Sequence, residues 1–483
     1  MVVARQLSVP PDPCALARRL QAAGARHLAL LHAAERPGAD AVAPLGLDLS
    51  RWSFVAAEPD LRSERLDPLL EDGDFGVDAP PADLRGFPRW IGVLPYEHRR
   101  NLERPAWRPA ETRPPALLAR PVWLRYPAVI GVDHLEGRVL AVGRTRAAIE
   151  ALVEPLREGR REAPAPSQVR LEVCDDDAPE RHLERVRAAK DLIARGDLYQ
   201  VNLARRLRLA LREGDPLALY QRLARAAPTP LGAMLTLDPG LAVVSTSPEL
   251  FLLSGRAGAK EGAAPPTRPS GGATPEREKE RERERERGEG GEVLFTAPIK
   301  GTRPRGGDAA ADAALVRELE ADPKERAELT MIVDVERNDL GRVAQPGTVR
   351  LLGPPRVVTH RTVHHRVAWL SARSRPGVTR EAALAAMLPS GSVTGAPKVR
   401  AMEVIAALEP RRRGLYTGAF GCVSHGGRLT LAMAIRTAVL LGREGEYFTG
   451  GGIVADSDPA RELEETRWKA AQLQRAAEEG RGR

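Results

Sequence analysis

The chain has 483 residues, of which 42% are hydrophobic and 29% are charged, so it has room for two subdomains or one large compound domain. No uninterrupted apolar run approaches the length of a membrane span, which argues against a membrane protein. The net charge of +8 would attract nucleic acid, but the arginines are dispersed and aromatic residues make up only 4%, so nucleic-acid binding is disfavoured.

The N-terminus and the cysteines indicate a cytoplasmic protein. The N-terminal segment has no apolar stretch behind a basic start and no small-residue cleavage site, so we expect no signal peptide. Cys14, Cys174 and Cys422 are scattered and form no CxxC pair. This pattern predicts neither a disulfide framework nor a thiolate metal site.

The chain is expected to divide into two regions. Short apolar runs between glycine and proline turns predict a sheet-rich first region, residues 1–165. A segment rich in Pro, Glu and Arg near residues 156–168 precedes a helical pattern, so we assign residues 178–479 to a second region of mixed strands and helices. Within it, residues 254–292 have almost no large apolar side chain, which predicts a disordered, charged insertion.

The segment APIKGTRPRG, residues 297–306, holds a lysine in an unusual setting. Arginine is much commoner than lysine in this chain, so a residue wanted only for surface charge would more often be arginine. Lys300 lies between Ile299 and Gly301, a position that indicates a need for an amine. A salt-bridging surface lysine is the alternative interpretation.

Two Asp-Pro pairs each predict the start of a helix, because Asp caps helices and Pro suits the first turn. Each pair is followed by two glutamates three residues apart on one helix face, namely Glu325 and Glu328, then Glu462 and Glu465. Carboxylates near a helix start can simply complement the helix dipole, and for Glu325 that interpretation is at least as good. Glu328 runs into the apolar stretch TMIVDV, where a carboxylate needs a cation or donor. Two such helices facing each other would form the oxygen-rich shell that Mg²⁺ prefers.

Three further segments predict positions that bind anions. The turn PSGSVTGAPK opens a helix, and TGGGIVAD places three glycines after a strand, where backbone N–H groups can face an anion. Neither matches a P-loop or a GxGxxG pattern, so nucleotide binding is disfavoured. Arg436 lies inside an apolar strand and needs a carboxylate partner or an anionic ligand. Together these features suit a magnesium-dependent enzyme that acts on a small polycarboxylate.

The order of the motifs resembles that of the chorismate-utilising enzymes, the family of anthranilate synthase component I, aminodeoxychorismate synthase component I, and the isochorismate and salicylate synthases. The resemblance covers nearly the whole chain and rests on segments such as GDLYQVNLARR, STSPELF, PIKGTRPRG, AELTMIVDVERNDLGRV, GSVTGAPKVRAMEVI, AIRTAV and GGGIVADSDPARELEETRWKA. It implies an α+β compound fold in which antiparallel β-sheets form a sandwich with helices packed outside and the active site between them.

The resemblance also implies the reaction. Members that use water carry a lysine base where this chain has Gln200, so ammonia is the expected nucleophile. Lysine in the PIKGT motif is typical of the aminodeoxychorismate synthases, whereas anthranilate synthases carry alanine there. Lys300 would add to C2 of chorismate as the C4 hydroxyl leaves, and ammonia would then enter at C4. Such an amine must be neutral, so its pKa should be lowered by burial or by a neighbouring cation such as Mg²⁺.

Motif by motif, the resemblance assigns roles to further side chains. Glu249 is the expected general acid/base. Mg²⁺ is expected to bind Glu328 and Glu465, with Glu325 and Glu462 joining directly or through water. The expected substrate-binding residues are Gln200, His365, Thr394, Tyr416, Arg436, Gly451, Gly452 and Lys469, whereas His364 is expected to be structural.

The chain departs from the family pattern at several positions. The insertion separates Glu249 from Lys300, Arg366 replaces an aliphatic residue, and Ser390 stands where glycine is usual. LLHAA lacks the serine of the tryptophan-regulated members, so we expect no tight inhibition by tryptophan. The chain has no GxCxG-type nucleophile elbow, so a separate glutamine amidotransferase subunit, forming a heterodimer, is the expected source of ammonia. The product would be 4-amino-4-deoxychorismate, a precursor of 4-aminobenzoate and folate.

Two alternatives stay open. The first is anthranilate synthase component I or another chorismate-aminating enzyme, against which Lys300 argues. The second, from a different class, is a basic binding protein built on an inactive scaffold. The joint presence of the four glutamates with Glu249, Lys300 and Arg436 argues against it.

Overall fold

The structure is a computed structural model, and it describes residues 2–35, 49–71, 84–101, 112–157, 168–255 and 291–478. Most of the predicted insertion, residues 256–290, lies outside the described residues. So does most of the predicted boundary near residues 156–168, and the division into two regions stays a prediction.

The larger of two main sheets has 12 strands within the described residues, all of whose pairings are antiparallel. Strands from both regions of the chain lie side by side in it. In order across the sheet they are β1 (Val3–Leu7), β8 (Arg138–Gly143), β7 (Ala128–Asp133), β3 (Trp52–Ala56), β2 (Ala29–His32), β11 (Leu231–Asp238), β12 (Leu241–Ser247), β23 (Thr437–Leu441), β24 (Glu444–Ile453), β10 (Gln200–Glu213) and β20 (Gly395–Ala396), with β9 (Arg170–Asp175) paired to β10.

The second main sheet has nine strands in the described part of the chain. In order they are β16 (Arg350–Leu351), β19 (Leu370–Arg373), β14 (Val293–Ala297), β13 (Leu250–Gly255), β22 (Leu429–Met433), β21 (Ala419–Ser424), β5 (Pro88–Leu94), β6 (Val122–Arg125) and β4 (Leu61–Ser63). A small third sheet consists of β15 (Ile299–Pro304), β18 (Val363–Val367) and β17 (Arg356–Thr359).

The strands on either side of the insertion are neighbours. β13 ends at Gly255 and β14 begins at Val293, and the two pair antiparallel with Leu250 opposite Ala297. Glu249 precedes the first strand and Lys300 follows the second, so this ladder brings both residues to the same end of the hairpin. The pairing of the described strands therefore brings the two residues towards each other.

The helices are α1 (Pro13–Ala22), α2 (Arg146–Val153), α3 (Pro179–Ala194), α4 (Pro216–Ala226), α5 (Ala309–Ala321), α6 (Pro323–Gly341), α7 (Arg380–Met387), α8 (Lys398–Leu408) and α9 (Pro459–Glu478). Short 3₁₀ turns cover Pro68–Glu71, Tyr96–Asn101, Glu154–Leu156 and Gly391–Val393. Side-chain oxygens cap several of the helices, as Asp12, Asp215 and Asp308 do for α1, α4 and α5.

The core shows that the two main sheets face each other with helices outside. Val93 and Phe420 of the second sheet pack in one cluster with Val129 and Val243 of the larger sheet. Neighbouring residues of the larger sheet, such as Val55 and Ile130, point the other way and pack against α1, α2, α4 and α9. Residues of α6 and α7 cover the second sheet. The predicted α+β sandwich with outer helices is thereby confirmed.

The described helices and the three cysteines add two observations. None of these helices is both long enough and apolar enough to cross a membrane. All three cysteines are free, with Cys422 buried and Cys174 exposed.

Gly92 of β5 marks a close approach between strands, which gives a test of the packing. A Cβ atom there would lie 2.2 Å from the backbone oxygen of Val122 on β6. We predict that Gly92→Ala lowers the free energy of unfolding by about 1–3 kcal/mol, because the two strands must separate. Gly307→Ala is the matched control, since nothing lies within 4 Å of its added carbon. Equal denaturant midpoints for the two variants would contradict the described packing.

Candidate active site

Lys300 lies at an irregularity of its strand. The register between β15 and β18 shifts between Ile299 and Thr302, and Gly301 has a φ of +86°, a conformation that favours glycine. The Lys300 side chain is 16% exposed, and its Nζ lies 3.4 Å from Oε2 of Glu328. The lysine is ion-paired, as the surface interpretation requires, but it is mostly buried.

Gln200 and Lys300 both approach the backbone of β24 at Gly452. A Cβ atom on Gly452 would lie 2.7 Å from Nε2 of Gln200 and 3.0 Å from Nζ of Lys300. Gln200 is fully buried, and neither Nε2 nor Oε1 of its amide has a hydrogen-bond partner among the described residues. A buried amide without hydrogen bonds is costly, so this position favours a polar ligand.

The four predicted glutamates lie at the starts of two helices, as the Asp-Pro pairs indicate. Oδ1 of Asp322 accepts hydrogen bonds from the backbone N–H groups of Lys324 at 2.9 Å and Glu325 at 3.1 Å, at the start of α6. Oδ1 of Asp458 accepts one from Arg461 at 3.0 Å, at the start of α9. Glu325 and Glu328 follow the first cap, and Glu462 and Glu465 follow the second.

The glycine run lies inside β24 (Glu444–Ile453) and not after a strand, as was predicted, and it faces the second pair of glutamates. A Cβ atom on Gly451 would lie 3.0 Å from Oε2 of Glu462 and 3.6 Å from Oε1 of Glu465. Lys469, one turn further along α9, ion-pairs with Glu465 at 2.6 Å and donates to the backbone oxygen of Gly450 at 2.8 Å. The backbone of β24 thus passes close to both the carboxylates and the amine.

The carboxylates raise the pKa of Lys300. Burial lowers the pKa of this amine, but the charges of Glu328, Glu465 and Glu325 outweigh burial and hold it above the ordinary value. The predicted lowering of this pKa is therefore wrong for the protein side chains by themselves. The carboxylates favour an ammonium at Lys300, so a neutral amine needs further positive charge in the site.

Burial and neighbouring charges shift the pKa values of three of the carboxylates. Burial and the charge of Glu328 raise the pKa of Glu325. Burial and the charge of Glu465 likewise raise the pKa of Glu462, despite a hydrogen bond from Ser457. Glu465 differs: burial raises its pKa, but the surrounding lysines, chiefly Lys469, bring it below the ordinary value.

The carboxylate set has the donor chemistry that magnesium requires, although it is not arranged as a closed metal site. Oε2 of Glu462 is buried and has no hydrogen-bond partner within the described ranges. Hard oxygen ligands from one or two carboxylates suit Mg²⁺, which keeps several waters. In the same ranges, no group of three or more His, Cys, Asp or Glu side chains is close enough to hold an ion. The expected metal therefore stays a prediction.

Glu249 lies in a buried position at the end of β12. It is 5% exposed, and Oγ of Ser392 donates a hydrogen bond to its Oε1 at 2.9 Å. Burial raises the pKa of Glu249 to about 7, with a smaller increase from the charge of Glu336, while Ser392, Lys300 and Lys469 act in the opposite direction. A carboxyl group that titrates near neutral pH can serve as acid or base.

Arg436 and Tyr416 border the same region. Arg436 lies in the connection between β22 and β23, so its predicted place inside a strand is wrong. It has a φ of 50°, and burial lowers its pKa. No carboxylate in the described part of the chain pairs with it, so the guanidinium suits an anionic ligand. The Tyr416 ring stacks on Phe448 at 5.5 Å, and its hydroxyl would lie 2.9 Å from a Cβ on Gly450.

The remaining predicted residues are Thr394, His365 and His364, and their hydrogen-bond partners differ. Oγ1 of Thr394, which is fully buried, donates to the backbone oxygen of Ser390 at 2.8 Å. Nδ1 of His365 lies 3.0 Å from Oγ1 of Thr302, and its buried Nε2 has no partner among the described residues. His364 instead lies 2.9 Å from Oδ1 of Asp312, an arrangement that suits the structural role expected of it.

Arg413 was not predicted from the sequence, because it lies in a run of three arginines that looks like exposed charge. Arg413 is fully buried, and its five N–H groups are matched by five acceptors. These acceptors are both carboxylate oxygens of Glu409, the backbone oxygens of Val393 and Asn202, and Oγ1 of Thr417, at 2.6–3.2 Å.

Comparison with known proteins settles the family. A sequence model of the chorismate binding enzymes matches residues 58–261 and 267–475. The chain belongs to the chorismate-binding enzymes. It is therefore an enzyme that acts on chorismate, and the expected family is confirmed.

Relatives within the chorismate-binding enzymes carry more than one name. The chain is 35% identical to anthranilate synthase component 1 of Streptomyces coelicolor over 452 residues, 88% of this chain and 81% of that protein. It is 40% identical to aminodeoxychorismate synthase of Streptomyces griseus over 296 residues, 61% of this chain and 36% of that protein. The crystal structure of anthranilate synthase component I from Streptococcus pneumoniae TIGR4 matches with a TM-score of 0.67 at 27% identity, over 87% of this chain and 91% of that one.

The raised pKa of Glu249 predicts a pH-dependent contribution to stability. Folding shifts the pKa from 4.5 to about 7, so the folded protein binds this proton more tightly, and stability should fall as pH rises between these values. The contribution is about 3 kcal/mol. We predict that Glu249→Gln, which cannot ionise, gains about this much relative to wild type on going from pH 4.5 to pH 8.

The matched control is Glu184→Gln, which replaces an exposed carboxylate. Denaturant unfolding at both pH values measures the change for each variant. If the two variants show the same pH dependence as wild type, Glu249 is not a carboxyl group with a raised pKa.

Proposed function

We propose that the protein is component I of an aminodeoxychorismate synthase, which replaces the C4 hydroxyl of chorismate with an amino group taken from ammonia. The observation that carries the proposal is the buried amine of Lys300, beside the Gln200 amide and the carboxylate of Glu328. The family resemblance implies alanine at this position in the anthranilate synthases, and an alanine would offer no nucleophile. The product, 4-amino-4-deoxychorismate, would feed the synthesis of 4-aminobenzoate and folate.

The proposed reaction has two substitutions. In the first, the neutral Lys300 amine forms a bond to C2, the ring double bond shifts, and the C4 hydroxyl leaves as water with a proton from Glu249. In the second, ammonia forms a bond to C4 and the bond between C2 and Lys300 breaks. The proton lost by the new C4 ammonium returns to Glu249, so the cycle consumes no acid.

The anionic groups of the substrate would be held at two places. Arg436 and Tyr416 would bind the carboxylate of the enolpyruvyl group, since the guanidinium has no carboxylate partner in the described ranges. The ring carboxylate would lie against the backbone N–H groups of Gly451 and Gly452, with support from Lys469. His365 and Thr394 would line the ring.

Glu328 and Glu465 would hold Mg²⁺, with Glu325 and Glu462 joining directly or through water, a donor set consistent with the unpaired Glu462 oxygen. When bound there, the ion would bring positive charge to the ring carboxylate and would offset the effect that keeps Lys300 protonated. The side chains themselves would hold the ion and orient the substrate.

Ammonia would come from glutamine through a separate amidotransferase subunit, so the working protein would be a heterodimer. Gln200 would lie beside the incoming ammonia, because its amide offers both a donor and an acceptor and uses neither within the described residues. The proposed chemistry itself needs only ammonia, so an ammonium salt should replace the partner in a purified system.

Anthranilate synthase component I is the second candidate. It is favoured by the Streptomyces coelicolor relative, which matches 88% of this chain. Amination would then occur at C2 instead of C4, and Lys300 would have no covalent role.

Product analysis separates the two candidates. We predict that the purified chain, given chorismate, Mg²⁺ and an ammonium salt at mildly alkaline pH, forms 4-amino-4-deoxychorismate, detected by liquid chromatography with mass spectrometry. An added lyase should convert it to 4-aminobenzoate. Formation of anthranilate would overturn the proposal in favour of the second candidate, and formation of isochorismate would mean that water is the nucleophile.

Substitution of Lys300 tests the nucleophile. We predict that Lys300→Ala and Lys300→Arg both lower the rate of product formation by at least about 10³-fold. Arginine is the matched variant, because it keeps the positive charge beside Glu328 but cannot act as a neutral amine. Full activity of the arginine variant would show that only the charge matters, and thermal unfolding of both variants confirms that they are folded.

A further inference from the structure

A chain of hydrogen bonds leads from Glu249 away from the substrate to a second buried carboxyl group. Oγ of Ser392 donates to Oε1 of Glu249 at 2.9 Å and lies 2.8 Å from Oγ of Ser390. Ser390 in turn hydrogen-bonds Oε1 of Glu336 on α6. Glu336 is fully buried, and the other three residues are at most 5% exposed. Three hydrogen bonds therefore connect these four residues, which are almost completely shielded from bulk water.

The three hydrogen bonds require one more hydrogen than the two serines supply. Each link between two oxygen atoms needs one hydrogen, and each serine hydroxyl supplies only one. Three links therefore need three hydrogens, while Ser390 and Ser392 together supply two. The third hydrogen must come from a carboxyl group, so either Glu249 or Glu336 is protonated when all three links are made.

Two arrangements of the hydrogens allow all three hydrogen bonds to form. In one, Glu249 donates to Ser392, Ser392 to Ser390, and Ser390 to Glu336. In the other, every donor and acceptor is reversed. The backbone N–H of Ser392 also donates to Oγ of Ser390 at 3.0 Å, so this hydroxyl makes three hydrogen bonds, one as donor and two as acceptor, in both arrangements.

We propose that Ser392 and Ser390 form a proton wire between Glu249 and Glu336, with Glu336 as the group that stores the proton and returns it to Glu249. Glu336 touches no substrate in this proposal and acts through the two hydroxyls. The step that uses the wire rests on the proposed function, in which Glu249 protonates the leaving hydroxyl.

The charges around the two carboxyl groups are compatible with one shared proton. Burial raises the pKa of both groups, and the charge of Glu336 raises the pKa of Glu249 further. Lys300 and Lys469 oppose the increase at Glu249, and Lys398 opposes it at Glu336. Two buried like charges linked by hydrogen bonds favour a state in which only one is ionised.

The proton transfer balances without solvent. With the shared proton on Glu336 and Glu249 ionised, the hydrogen of Ser392 moves to Glu249. The hydrogen of Ser390 moves to Ser392, that of Glu336 moves to Ser390, and Glu336 is left as a carboxylate. Glu249 then gives the proton that it has received to the leaving hydroxyl and is ionised again. The proton later released by the C4 ammonium returns along the same links in reverse, which restores Glu336.

Infrared spectroscopy of the full chain without chorismate tests the wire independently of the product. We expect the protonated-carboxyl band near pH 6 to have two components, one from each glutamate. Glu249→Gln and Glu336→Gln should each remove one component and strengthen the other. The Ser390→Ala variant cuts the path but keeps both carboxyl groups. When either glutamine substitution is added to that variant, it should remove its own component and leave the other component unchanged. A protonated-carboxyl band that stays unchanged in either glutamine variant would overturn the proposal.

Turnover of chorismate gives a second test, whichever aminated product forms. We expect Ser390→Ala to lower kcat about tenfold with KM changed less than about twofold, because proton supply to Glu249 becomes limiting. In mixtures of H₂O and D₂O, wild type should show a curved dependence of kcat on deuterium content, and Ser390→Ala a linear one. Ser390→Thr, which keeps the hydroxyl, should restore the curve.

Three results would contradict the wire. They are an unchanged kcat in Ser390→Ala, a curved dependence that survives in that variant, and a linear dependence in wild type. Should the alanine variant unfold, Glu336→Gln provides the same comparison, since its amide cannot return a proton to Ser390.

Discussion

A single buried guanidinium holds the walls of the active site in place. Arg413 has all five N–H groups matched, two of them by Glu409. Its other three reach Asn202 on β10, Val393 in the turn before α8, and Thr417. A fully buried charge is tolerated only when it is paired and fully hydrogen-bonded, so these three segments cannot move independently. They carry the buried amide of Gln200, the turn whose Ser392 contacts Glu249, and Tyr416 beside the glycine run.

The charges of the site are unbalanced until a ligand is bound. Four carboxylates at the starts of α6 and α9 lie near the amines of Lys300 and Lys469. Their charges raise the pKa of Lys300 against the effect of burial, whereas burial and neighbouring carboxylates together raise the pKa of Glu325 and Glu462. A divalent cation would correct the imbalance, and an anionic substrate would then meet Arg436 and the backbone N–H groups of β24. The proposed nucleophile is thus held as an ammonium by the same side chains that would bind the metal.

Local patterns in the sequence predicted the local parts of this site. The capped starts of α6 and α9, with Glu325 in the first turn, follow directly from the Asp-Pro pairs, and family resemblance predicted the sandwich. The sequence did not predict contacts between distant segments, such as Ser392 with Glu249, which are 143 residues apart. Nor did it predict the sign of the pKa change at Lys300, because that depends on how three carboxylates compare with burial. Arg413 was missed because its neighbours in the sequence are also arginines.

The central claim is that Lys300 bonds covalently to the substrate, and mass spectrometry of a quenched reaction tests it most directly. The chain is mixed with chorismate and Mg²⁺ without ammonium, denatured in acid, digested and mapped. The account predicts that the peptide with Lys300 gains the mass of chorismate less one water, and that added ammonium removes this modification. An unmodified Lys300 peptide in a preparation that converts chorismate to 4-amino-4-deoxychorismate would contradict the account.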